Sequence, residues 1–256
     1  MRLAARRARR RTFKMAGYLA ALCLLFISAG CSAARTPDGA AAAGHGSLHA
    51  AYTAARYAVR PVVDAQHGAA WEARNAAHAL HATFTAAGLD LAVRLPAEDV
   101  DVRSTWRLAS LGYGTAQQLA APGELHSAGQ RVEVTRPGVV EWFVNAPAGL
   151  EHGFTLAERP AAGGTGAPLR LVLHVSGDLT PVAEAAGRRI SLRDATGNRI
   201  LTYAGLRVWD ATGTPMPAHM TAAGDRVTIS VDDAAARYPL TIDPTFGLEA
   251  YLKASN

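Results

Sequence analysis

A period of two runs through most of this chain. From Leu169 to Val175, the residues Leu169, Leu171, Leu173 and Val175 fall on one side and Arg170, Val172 and His174 on the other. That alternation is the mark of a strand with one buried face. Leu89, Leu91, Val93 and Leu95 repeat it after Gly88. Shorter runs of the same kind lie at 105–111, 131–135, 139–144, 153–156, 190–192, 200–203, 206–209, 227–231 and 240–242. Arg136-Pro137-Gly138 is a turn between two of them, and 160–168 is a loop of Gly, Ala and Pro. Short strands recurring about every 8–12 residues, with turn residues between them, predict an all-β fold, an antiparallel β-sandwich. Two segments are less plain. The Ala-rich stretch 71–85 suits a helix, whereas His81 to Thr85 followed by Gly88 reads as strand and turn, so strands are expected from about residue 80 onward. Residues 181–187 have room for one short helical turn.

The start of the chain follows another pattern. Arg2, Arg6, Arg7, Arg9, Arg10, Arg11 and Lys14 precede an apolar run from Met15 to Ala29, which closes on small residues and Cys31. This is the order of an export signal, and the run is shorter than the ~20 apolar residues of a spanning helix. Ser28-Ala29-Gly30-Cys31 resembles the lipobox of bacterial lipoproteins, with Ser28 where a strong lipobox has Leu. The resemblance implies lipidation of Cys31 and a membrane partner reached through that lipid. An ordinary secretory signal cut near Ala33 or Ala34 is the alternative. The expected location is the outer membrane or cell surface, otherwise the periplasm or medium.

Removing residues 1–31 changes the charge. Seven of the 26 Lys and Arg leave with them, so 19 remain against 21 Asp and Glu. The precursor's formal charge of +5 therefore describes the signal and carries no expectation of nucleic-acid binding. The two cysteines, Cys23 and Cys31, both lie at or before the signal's end. The exported chain thus has no disulfide to form, and its stability must come from a packed core.

Candidate chemistry is sparse. His78 and His81 are spaced i, i+3, and His45 and His49 i, i+4, which on a helix would share a face. Glu141, Glu151, Asp178, Asp232 and Asp233 are the acids from which a pair for glycoside hydrolysis would be drawn. Asp232-Asp233 precedes Ala-rich turn sequence, where acids are ordinarily solvated. Trp71, Trp106, Trp142 and Trp209 would serve either as a sugar platform or as core. Asp194-Ala-Thr-Gly197 recurs as Asp210-Ala-Thr-Gly213, and each copy reads as a turn, not a calcium loop, because it offers too few carboxylates. No catalytic residue, cofactor site or metal ligand is assigned.

From residue 140 on, Glu141-Trp-Phe-Val-Asn145, Gly149-Leu-Glu-His-Gly-Phe-Thr-Leu156, the run 199–210 and above all Tyr238-Pro-Leu-Thr-Ile-Asp-Pro244 carry a family likeness. They resemble the N-terminal leader region of bacterial FG-GAP repeat surface proteins, whose repeats form integrin-α-type β-propellers. The likeness implies a lead-in strand after Pro244, and the repeats themselves are absent from these 256 residues. Four segments are expected: the signal, 1–31; a flexible tether, 32–50; a sandwich domain, 51–244, in which a break near 157–168 would mark two subdomains; and a lead-in strand, 245–256. Pro239 and Pro244 are expected to bracket a short strand. The expected function is a non-catalytic cell-surface or periplasmic lipoprotein domain, structural or adhesive, with a protein or glycan ligand unspecified. The alternative is a secreted glycan-acting enzyme or carbohydrate-binding module.

Overall fold

The alternation along the sequence resolves into two antiparallel sheets packed face to face. The computed structural model describes residues 48, 50–64, 68–95, 100–161 and 166–248. A helix at 50–57 comes first. Then follow β1 (Arg60–Asp64), β2 (Gly68–Asn75), a 3-10 turn (Ala76–His78), β3 (Leu80–Thr85), β4 (Gly88–Leu95), β5 (Val100–Tyr113) and β6 (Ala116–Leu119). Next are β7 (Glu124–Ala128), β8 (Arg131–Arg136), β9 (Val139–Ala146) and β10 (Gly149–Leu156). After the 157–168 loop come β11 (Leu169–Gly177), β12 (Thr180–Glu184), a second 3-10 turn (Ala185–Gly187), β13 (Arg189–Arg193) and β14 (Arg199–Trp209). The last are β15 (Ala218–Ala223), β16 (Arg226–Val231) and β17 (Leu240–Gly247). The protein is the all-β sandwich that the period of two predicts.

The first sheet runs β1-β2-β3-β4-β5-β11-β16-β15, with β6 beside the second half of β5. The second runs β12-β13-β14-β17-β10-β9-β8-β7. In both sheets, strands before the 157–168 loop lie on one side and strands after it on the other. The seams are the β5–β11 and β10–β17 ladders. The two sequence halves are therefore fused edge to edge, and one hydrophobic core, from Ala73 to Phe246, runs across the seam.

Two bulges keep the inner faces apolar. On β5, Leu108 and Ser110 face Leu173 and Val172, so Ala109 is the extra residue. The slip lets Trp106 and Leu108 point inward before it and Leu111 and Tyr113 after it, all buried. On β14, Gly205 and Leu206 stand opposite the single Pro244 of β17. Gly205 takes φ 71°, which suits a residue without Cβ. Pro244 has no N–H to give to the ladder, and the bulge is where none is required.

This corrects the expected ends of the segment. Pro244 does not close a strand after Tyr238-Pro239. It sits inside β17, a central strand between β14 and β10. Phe246, expected in a separate lead-in strand, is fully buried in the core. The rest of that expected strand, 249–256, lies outside the described residues. At the other end, residue 50, placed in the tether by composition, is already helical. Its helix is fixed by buried Tyr57 and by Gln130, whose Nε2 donates to the Thr53 carbonyl at 3.2 Å. The stretch 71–85 is β2 and β3 around one 3-10 turn, not an α-helix. The signal and Cys31 lie outside the described residues.

Candidate functional site

The polar residues that look most like chemistry are inside the sandwich. Glu141 on β9, His152 on β10 and Tyr203 on β14 all point to the core face and are fully buried. His152 Nε2 lies 3.0 Å from Glu141 Oε1, and the Tyr203 hydroxyl 3.0 Å from His152 Nδ1. A carboxylate only accepts, so Nε2 carries the imidazole proton and Nδ1 accepts from the tyrosine. Burial, followed by the charge of Glu141, pushes the Tyr203 hydroxyl well above its ordinary range, so it stays a donor. At the far end, Arg136 Nη2 stands 3.1 Å from Glu141 Oε2, an ion pair by distance but not a well-aligned hydrogen bond. Arg136 Nη2 also donates to the Ala87 carbonyl at 2.9 Å. Burial lowers the Arg136 pKa, and Glu141 opposes that. The imidazole is stacked between Phe143, at 4.7 Å, and Phe246, at 5.7 Å. This string of acid, imidazole and hydroxyl has no path to a substrate. What it can do is join β8, β9, β10 and β14 through the core by the Arg136–Glu141 ion pair and the Glu141–His152–Tyr203 hydrogen bonds, with Glu141 Oε2 and Arg136 Nε and Nη1 left without a hydrogen bond.

Asp233 is also a correction. It is buried, not solvated. Its Oδ2 accepts from Tyr113 at 2.6 Å, Tyr238 at 2.7 Å and Arg159 at 2.7 Å. Arg159 also donates to the Asp233 carbonyl and lies 5.2 Å from the Tyr238 ring. Burial, with the Asp233 contact, raises both tyrosine hydroxyls above their ordinary range. The cluster clamps the exit of β10 to the start of the Tyr238-Pro239 segment.

The two Asp-Ala-Thr-Gly copies are turns with the same internal bonding. Asp194 Oδ1 accepts from the Thr196 amide and hydroxyl and from the Asn198 amide. Asp210 Oδ1 accepts from the Thr212 amide and hydroxyl and from the Thr214 amide. The Thr212 hydroxyl and the Arg237 amide lead in lowering the Asp210 pKa to about 2.

Among the described residues, His78 and His81 belong to no cluster that could hold a metal ion. His78 takes the Leu248 amide on Nδ1 and faces the Pro147 carbonyl, while His81 sits on β3 beside Glu72. His174 faces Asp225 at 2.8 Å. His45 and His49 lie outside the described residues. Among the acids, Glu151 is half-buried on the outer face of the second sheet. Burial, then the nearby Asp243, raises its pKa. Asp178 holds the Arg103 amide at 2.8 Å, and Asp232 caps the Ala234 amide at 3.3 Å. No tryptophan forms a platform. Trp106 is in the core, against Tyr203 and Phe246. Trp142 lies flat over Gly153 with Arg131 at 4.4 Å on its other face, and Trp71 and Trp209 are half-buried.

A surface feature remains that the sequence reading did not single out. The first sheet curls so that Asp64 of β1 and Arg107 of β5 wall one groove of about 580 Å³ on its outer face. A second hollow, about 440 Å³, shares His81 and Ala92 with it and runs toward Arg94 and Asp101. The floor is set by register. Glu72 pairs with Thr83, Thr83 with Asp90, and Asp90 with Thr105, so one row of polar side chains crosses four strands. The next row is Arg74, His81, Ala92 and Arg103. Opposite charges are paired on this face, Arg107 to Asp90 at 2.6 Å and Arg94 to Asp101 at 3.3 Å, and the His81 imidazole lies 3.1 Å from the Glu72 carboxylate. The signal in the sequence is the polar or small half of each alternation, opposite the buried face.

The fold defines an all-β two-sheet sandwich. Comparison with protein-family models, with curated proteins and with solved structures gives no match.

Proposed function

We propose that this chain is a non-catalytic cell-surface or periplasmic lipoprotein domain, anchored through Cys31 and serving a structural or adhesive role. In this reading it is the front part of an FG-GAP propeller protein. The observation that carries it is the use of the candidate reactive groups as fasteners. Glu141 and His152 are sealed between the sheets, and Asp233 has its Oδ2 shared by three donors. The Arg-rich, apolar, Ser28-Ala-Gly-Cys31 start supports the anchor, and Tyr238 to Pro244 supports the family link. The position of β17 fits a leader domain. The run Tyr238 to Pro244, on which the resemblance rests, leads into β17, a central ladder strand, and the Leu248 amide after that strand donates to His78 Nδ1. Metabolic labelling with a clickable fatty acid tests the anchor. Label is expected in the wild type and absent in Cys31→Ala, and equal labelling of the two would overturn the lipoprotein assignment.

A further inference from the structure

The outer groove of the first sheet is a polar hollow of about 580 Å³, and its chemistry limits what can lie in it. It is a trough, because two hollows meet end to end over His81 and Ala92. A trough takes a chain more readily than a compact metabolite. Its main hollow has the volume of an ordinary ligand site, but only Leu91 and Ala92 among its described lining residues are apolar and no Trp, Tyr or Phe is among them, unlike the sites that hold apolar ligands. Thr83, Ala92 and Thr105 form the floor, and no Trp, Tyr, Phe or Met lines either hollow among the described residues. The charged residues that line the two hollows nearly balance, Arg74, Arg94, Arg103 and Arg107 against Asp64, Asp90 and Asp101, and two of the pairs, Arg107–Asp90 and Arg94–Asp101, are in direct contact. A neutralised floor gives little attraction to a strongly charged polymer. It offers instead fixed donors and acceptors in rows that cross the strands, with neighbours in a row about 4.8 Å apart, the strand spacing.

We propose that this groove binds a neutral, polyhydroxylated oligosaccharide chain. Vicinal hydroxyls would be held by the Asp90–Arg107 pair and by the Thr83 and Thr105 hydroxyls, with Arg103 at the rim. Arg107 is preorganised for this, since its Nη1 also donates to the Leu89 carbonyl at 2.7 Å and the Trp106 carbonyl at 3.1 Å. The inference rests on reading the domain as a surface module with an adhesive role, and it supplies the ligand class that reading leaves open.

The test uses the chain purified from cells, titrated calorimetrically with maltohexaose, cellohexaose, chitohexaose and xylohexaose, and with hexagalacturonate as the charged control. At least one neutral hexasaccharide is expected to bind, with hexagalacturonate weaker. Thr83→Val with Thr105→Val keeps β-branched side chains on outward strand positions and is expected to weaken binding at least tenfold with an unchanged circular dichroism spectrum. If that double variant fails to fold, Arg103→Ala, at an exposed position, takes its place with an expected loss of several-fold. Absence of binding to all four neutral probes overturns the proposal. So does tighter binding of hexagalacturonate, or binding that the variants leave unchanged. A sedimentation change in the variants without any sugar effect would assign the face to a second copy of the chain instead. Failure here leaves the fatty-acid result untouched, so the two readings fall separately.

Discussion

At the scale of single residues, the buried polar groups carry the sharpest expectations. Glu141→Gln would leave Arg136 a buried cation without its counter-charge, and removing one partner of a buried pair typically costs about 3–5 kcal/mol. Urea denaturation of the exported chain should show that loss, and a variant within 1 kcal/mol of wild type would mean the string is not a fastener. Gly153 is a packing requirement, because a Cβ there would stand 2.0 Å from the Trp142 ring. Gly153→Ala should lift the indole and cost roughly 1–3 kcal/mol, with a red-shifted tryptophan emission as the readout. The carboxylates set the pH response. Burial leads in raising both Asp243 and Glu151, so their charging opposes the folded state. That penalty is absent below the ordinary carboxylate range of roughly 4 and grows as pH rises through the raised values. Asp210 acts the other way. Its contribution is present above its ordinary value and is lost as pH falls toward about 2. The denaturation midpoint should therefore fall as pH rises from the ordinary carboxylate range through the raised values, and Glu151→Gln should flatten that slope. A midpoint that climbs across this interval would contradict the assignment.

At the scale of elements, the Asp233 clamp decides whether the long loop after β10 stays in place. Arg159 reaches from that loop to Asp233, and Tyr113 reaches it from the end of β5. Asp233→Ala leaves those donors without their shared acceptor, at a cost of roughly 1–3 kcal/mol. The first place to loosen should be residues 157–161, around Arg159. Limited proteolysis should cut there faster in the variant, while cleavage elsewhere is unchanged. Equal cutting rates would show that other contacts hold the loop. The bulges matter on the same scale. Without Ala109 as the spare residue of β5, either Trp106 or Leu111 would turn to solvent, since a one-residue slip exchanges the two faces of a strand.

For the whole molecule, the decisive contacts lie at the seam between the two sequence halves. Trp106 of β5 meets Tyr203 of β14 at 5.1 Å and Phe246 of β17 at 4.8 Å, and Phe246 meets Tyr203 at 4.5 Å. These rings link the two sheets and both halves at once. Unfolding should therefore be a single cooperative transition, with calorimetric and van't Hoff enthalpies in agreement. Two resolved transitions would mean that the halves melt apart. Trp106→Ala removes the largest ring of this group and should lower stability by about 3–5 kcal/mol.

The sequence by itself determined the class of fold. Alternation at Leu169–Val175 or Leu89–Leu95 needs only the period of a strand, and each such run is a strand of the sandwich. The sequence also located the turns, since Asp194 and Asp210 bond to amides two and four residues away, a local matter. Sheet order could not be read, because the β5–β11 and β10–β17 ladders join residues far apart in the chain, and nothing local encodes a partner. The weakly patterned strands β1, β2, β6, β7, β12 and β15 lie at or near sheet margins, where one-sided burial is partial and the alternation fades. The same limit hid the polar interior. Glu141, His152 and Asp233 have side chains that ordinarily seek water, and only their tertiary partners make burial tolerable. The groove was hidden for the opposite reason. Thr83, Asp90 and Thr105 look like any solvent face until the register sets them in one row and the curl of the sheet brings Asp64 round to Arg107.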